Sequence, residues 1–124
     1  MQLFRFRTLA VTAALAGLAA LALTSSAGAA APTKLVGTVG PGFTITLKKT
    51  ARPVRLLTPG RYSITVADKS NIHNFHLKGP GVNKEITTVD FVGTKTVIVA
   101  LRKGTYTFVC DPHFTSMKGS FRVA

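Results

Sequence analysis

The sequence predicts an all-β protein, a sandwich or barrel of about seven to nine short strands. Three observations carry that reading. Apolar and polar residues alternate with a period of two, as in Phe43, Ile45 and Leu47 or Tyr62, Ile64 and Val66, which is the side-chain period of a strand with one covered face. Turn signals, Pro59-Gly60, Gly79-Pro80-Gly81 and Lys103-Gly104, punctuate the alternating runs. Beyond the N-terminal region, no stretch of about a dozen residues carries the spacing of an amphipathic helix.

Taken in order, segments 34–39 and 43–48 open the domain, the second by alternation of Phe43, Ile45 and Leu47 with Thr44 and Thr46. Segment 54–57 is a short apolar piece before the Pro59-Gly60 turn. Segment 62–67 alternates Tyr62, Ile64 and Val66 with Ser63 and Thr65. Segments 72–77 and 85–91 flank the turn at Gly79-Pro80-Gly81. The β-branched run from Thr96 to Leu101, within segment 95–101, suits a strand covered on both faces. Segment 105–110 places Tyr106, Phe108 and Cys110 on one face, and segment 119–123 closes the chain.

The N-terminus reads as a secretory signal peptide over residues 1–29. Arg5 and Arg7 precede a charge-free, Ala- and Leu-rich stretch from Thr8 to Leu23, and Ala27-Gly28-Ala29 has the small-x-small form that signal peptidase accepts. Retention of the same stretch as a membrane anchor is the alternative. The expected unit is therefore a signal peptide over 1–29 followed by one domain over 30–124, exported to the periplasm, the cell envelope or the medium.

The chain has 124 residues, 16 Lys and Arg, 4 Asp and Glu, one Cys and a formal charge of +12. Without Arg5 and Arg7 the exported domain carries +10. A single thiol excludes intramolecular disulfides, four-Cys zinc ribbons and covalent haem attachment. Four carboxylates are too few for paired acid–base hydrolysis or an oxygen-ligand calcium cage. What remains is binding or redox chemistry, and no enzyme activity is expected.

The chemistry concentrates in Cys110-Asp111-Pro112-His113-Phe114-Thr115-Ser116-Met117, which sets a thiol, an imidazole and a thioether within one short loop after a strand. Soft and borderline ligands of this kind suit copper in both of its common oxidation states. A second imidazole is available from Ile72-His73-Asn74-Phe75-His76-Leu77. Alternation selects His73, which shares a face with Phe75 and Leu77, and leaves His76 on the opposite face with Asn74 as a solvated histidine. Cys110 continues the inward face of Tyr106 and Phe108. The predicted metal ligands are His73, Cys110 and His113 in a trigonal plane, with Met117 as a weak axial ligand around one Cu(I)/Cu(II) ion.

The Cys-x2-His-x3-Met loop, with His73-Asn74-Phe75-His76-Leu77 upstream, resembles the small blue copper proteins, or cupredoxins, of the plastocyanin, pseudoazurin and amicyanin group. The His-Asn-x-His stretch is most similar to amicyanin, while the loop from Cys110 to Met117 is one residue longer than amicyanin's and one shorter than plastocyanin's. The resemblance implies a cupredoxin-like Greek-key sandwich and one-electron transfer. It further implies copper ligation by His73 through Nδ1, and Asn74 as the hydrogen-bonding support that ties the ligand loop to its neighbour. Electrons are expected to leave at the His113 edge, between the apolar neighbours Pro112 and Phe114.

The expected partner is a redox protein with an acidic docking surface, attracted by the positive charge of the domain. A monomer is expected, with membrane contact only if the N-terminal segment is retained. Nucleic-acid binding is not expected, because export removes the substrate and no basic face is interleaved with aromatics. A Cys110 nucleophile lacks an orienting acid and a recognisable motif, and a structural zinc would need His73 and His76 on one face. The competing function is a copper carrier or sink that hands on its metal.

Overall fold

The computed structural model describes residues 24–124. The signal-peptide reading falls mostly on residues 1–23, outside the described residues. The described chain forms two five-stranded sheets packed face to face. One sheet has the order β3-β2-β1-β5-β8, built from β1 (Thr33–Val39), β2 (Ile45–Lys49), β3 (Arg52–Pro53), β5 (Gly60–Asp68) and β8 (Gly93–Leu101). The other has the order β4-β10-β9-β6-β7, from β4 (Leu56–Leu57), β6 (Phe75–Gly79), β7 (Val82–Thr87), β9 (Gly104–Val109) and β10 (Lys118–Val123). Of these ten strands β3 and β4 have two residues each, so the eight longer ones fall within the expected number. Among the described residues the single helical element is a 3-10 turn over Asp111–His113. Connections β5–β6, β7–β8 and β8–β9 pass from one sheet to the other, as in a Greek-key sandwich.

Alternation sets the core. In β5, Tyr62, Ile64, Val66 and Asp68 are buried while the residues between them are partly exposed. Their apolar members meet Leu35, Leu47, Phe75, Leu77, Tyr106, Phe108 and Phe121 between the sheets. Aromatic rings stack across neighbouring strands, Phe75 on Phe108 at 5.8 Å and Tyr106 on Phe121 at 5.3 Å between ring centres.

Three local expectations change. The run from Thr96 to Leu101 is not doubly covered: Val97, Val99 and Leu101 turn to the core while Thr96, Ile98 and Ala100 face solvent. Phe43 lies before β2 rather than in it and is 62% exposed. The strand expected from residue 72 begins only at Phe75, so His73 and Asn74 lie in the loop that enters it. Both are buried, which strict alternation would not allow.

Strand direction divides the molecule into two ends. Strands β1, β5, β7 and β9 run toward the end where loops 40–44, 69–74, 88–92 and 110–117 gather. The turns at 50–51, 58–59, 80–81 and 102–103 lie at the other.

Candidate metal centre

Cys110 follows directly on β9, with its side chain fully buried at the end of the core. Pro112 then sits in the first turn of the 3-10 segment, where its fixed φ is already suited and its missing N–H costs nothing. The loop is closed by its own backbone. His113 N donates to Cys110 O at 3.1 Å, Met117 N to His113 O at 2.8 Å, and Cys110 N to Met117 O at 3.0 Å. His113 is thereby turned back over Cys110, and Met117 returns to the interior, 1% exposed, just before β10.

The second histidine comes from the loop before β6, and a glycine makes room for it. Gly40 has φ +71, a conformation that favours glycine, and a Cβ there would lie 3.3 Å from His73 Cδ2 and 2.9 Å from Ser70 Cβ. His73 is completely buried.

Three donor atoms converge at this end. His73 Nδ1 lies 3.0 Å from His113 Nδ1 and 3.7 Å from Cys110 Sγ, and His113 Nδ1 lies 3.5 Å from that sulfur. A point in their plane about 2.0 Å from all three exists, close to the roughly 2.0–2.3 Å of imidazole and thiolate bonds to a first-row metal. The residues therefore fit a metal ion that accepts two imidazoles and one thiolate in a trigonal plane, the donor set of type 1 copper. Among the described residues, His73, Cys110 and His113 form such a cluster.

Asn74 is the bolt of the site. Only 1% exposed, it accepts from Asp111 N through Oδ1 at 2.7 Å. Its Nδ2 donates to Asp111 Oδ2 at 2.8 Å and to Glu85 Oε1 at 3.1 Å. One side chain thus fixes the residue after Cys110 to the residue after His73 and to β7. Its burial follows from these bonds rather than from strand alternation, so the outward face expected for it is corrected.

His76 is corrected as well. It is not a freely solvated histidine: its Nδ1 meets Asp111 Oδ2 at 2.7 Å and its Nε2 meets Asn83 Oδ1 at 2.6 Å. Its ring stays outside the three-donor cluster. Burial would push the Asp111 carboxyl up, but hydrogen bonds from Asn74, His76 and Lys78 and the charge of His76 outweigh it and hold the group below its usual value.

The exposed rim is apolar. His113 is half-buried, Pro112 is exposed and Phe114 is 63% exposed. Phe43, which alternation assigned to a strand, instead sets its ring edge-to-face on both histidines, 5.3 Å from His73 and 4.9 Å from His113 between centres. A large apolar residue after the Gly40-Pro41-Gly42 run was its only sequence signal. On the inner side, His73 Nε2 and Asp68 Oδ2 are buried without hydrogen-bond partners among the described residues.

Similarity to known proteins agrees with this geometry. Solved rusticyanin structures share the fold: one report of two rusticyanin variants matches with 23% identity and a TM-score of 0.54, covering 73% of this chain and 76% of that one. Reduced rusticyanin matches with 20% identity and a TM-score of 0.51, covering 73% and 78%. No curated protein matches the chain significantly in sequence. Residues 38–124, which hold every donor of the cluster, match the copper binding proteins of the plastocyanin/azurin family. On that match, over most of its length, the chain belongs to the plastocyanin/azurin family of copper binding proteins.

Proposed function

We propose that the protein is an exported one-electron carrier in which His73, Cys110 and His113, with Met117 as a fourth donor, would hold one copper ion. The observation that carries the reading is the convergence of His73 Nδ1, His113 Nδ1 and Cys110 Sγ within 3.0–3.7 Å at a dry end of the core. Bound there, copper supplies a reversible Cu(I)/Cu(II) couple.

The chain's own residues do the rest. Asn74 and the loop's backbone bonds hold the donors in one arrangement, so little has to move when charge changes. Phe75 and Phe108, buried and stacked on one another, stand two residues after His73 and two before Cys110. His113 is the one donor of the three whose ring reaches the surface, between Pro112, Phe114 and Phe43, and its edge is the exit for the electron. An apolar rim of this kind supports brief docking of a redox protein partner. A partner with an acidic docking surface would be attracted by the bases on the same end as the exit, Lys69 and Lys118. A periplasmic, cell-envelope or extracellular location is what the export signal read over residues 1–29 implies. Neither a substrate pocket nor nucleic acid enters this reading, and the protein acts as a carrier rather than an enzyme.

The competing role is a copper donor, and metal retention separates the two. A carrier exchanges electrons reversibly with a surface or a redox protein and keeps its copper in the presence of a Cu(I) acceptor through many cycles. Transfer of the metal to the acceptor on the time scale of a single reduction would overturn the carrier reading.

A further inference from the structure

Most of the positive charge does not sit where electrons leave. At the end opposite the metal centre, Lys48, Lys49 and Arg52 bracket the β2–β3 turn, Arg61 opens β5, and Arg102 and Lys103 form the β8–β9 turn. All six are exposed, and none is in an ion pair among the described residues. The four acidic residues lie elsewhere: Asp68, Asp90 and Asp111 at the metal end and Glu85 along β7. Arg61 and Asp68 are seven residues apart on one strand, about 23 Å at roughly 3.3 Å per residue. Charges separated by that distance are largely screened at physiological salt, where the Debye length is about 8 Å. The basic pole therefore acts on whatever touches it and contributes little to docking at His113.

The N-terminal segment reaches the same pole. β1 begins with Thr33 paired to Tyr62, and Ala29, Ala30 and Ala31 line a shallow cavity with Pro59, Gly60 and Arg61. In the sequence the charge-free stretch from Thr8 to Leu23 lies just beyond. The export signal read over residues 1–29 would bring the domain to a membrane, and residues 29–31 lie at the basic pole. We propose that this pole docks on an anionic lipid surface and so holds the metal end away from the bilayer, facing soluble partners. The six bases are spread over turns of the end face rather than gathered into a pocket, which suits a broad, diffuse array of phosphates. Each base near such a surface contributes about 1 kcal/mol, or roughly five-fold in partition.

The test compares two variants of equal net charge in the copper-loaded protein as exported. One replaces Arg52, Arg61 and Arg102 by Gln at the basic pole, and the other replaces Lys69, Lys95 and Lys118 by Gln at the metal end. The readout is the ratio of partition onto phosphatidylcholine vesicles with and without one-third phosphatidylglycerol, so that any apolar insertion cancels. The expected ratio falls on the order of a hundredfold in the pole variant, changes less than about five-fold in the metal-end variant, and is restored when the same three arginines become Lys. Equal loss in both variants would mean that net charge alone acts, and would overturn the proposal. So would a ratio near one for the unaltered protein, or a pole variant that binds undiminished. Retained blue colour reports folding of each variant. Vesicle-bound protein is expected to be reduced by a soluble reductant as fast as free protein, whereas ten-fold slowing would place the metal end on the membrane and contradict the orientation.

Discussion

Replacing Asn74 by Ala should unfasten the ligand loop from the rest of the sandwich. The substitution deletes the acceptor of the Asp111 amide at 2.7 Å and the donor to Asp111 Oδ2 and Glu85 Oε1 at 2.8 and 3.1 Å. Leaving a part-buried amide unpaired costs about 1–3 kcal/mol, and each lost bond to a carboxylate that water can re-solvate adds about 1 kcal/mol or less. The expected loss is about 2–4 kcal/mol, a large share of the roughly 5–14 kcal/mol that a domain of this size holds. Guanidinium unfolding of the copper-loaded protein measures it, and the melting temperature should drop by about 10–25 °C. Asn74→Asp is the sharper control. It keeps the Oδ1 acceptor and the shape, but it loses both donor hydrogens and sets a third carboxylate against Asp111 and Glu85, so it should lose at least as much. A shift below about 0.5 kcal/mol in both variants would refute the assignment of Asn74 as the bolt.

Three further outcomes follow from the same geometry. Phe43→Ala should leave stability within about 1 kcal/mol, since the ring is mostly exposed, yet hasten copper loss to a chelator because it shields both histidines. Tyr106→Phe removes a hydroxyl bonded to Pro80 O, Arg102 O and Arg102 N, each at 3.0 Å, and should cost about 1–3 kcal/mol with an unchanged visible spectrum, because these bonds lie at the far end. His73→Ala should abolish the colour while His76→Ala keeps it, although the second change frees Asp111 and Asn83 and should lower stability by about 1–2 kcal/mol.

Much of the fold was legible because one face of each sheet is covered. Tyr62, Ile64 and Val66, or Tyr106, Phe108 and Cys110, announce their strands through a period that only a half-buried strand requires. Cys110 and His113 were legible for the same reason: a strand end fixes the thiol, and a three-residue spacing within one turn returns the imidazole to it. Alternation turned His73 inward, where the structure also buries it, but on a partly wrong premise, since that residue stands in a loop and only Phe75 onward is strand. Phe43 and Asn74 were placed wrongly by pattern alone, because long-range contacts fix them: ring stacking on the histidines in one case, and bonds to Asp111 and Glu85 in the other. The separation of charge into two poles was also invisible, since it depends on which turns share an end and not on any local run of bases.

Stoichiometric titration of the metal-free protein with Cu(II), followed by visible absorption, tests the central claim most directly. The account predicts an intense thiolate-to-copper band near about 600 nm that saturates at one equivalent and is absent in Cys110→Ser. A colourless complex, or an equal band in the serine variant, would contradict a mononuclear centre built on Cys110, His73 and His113.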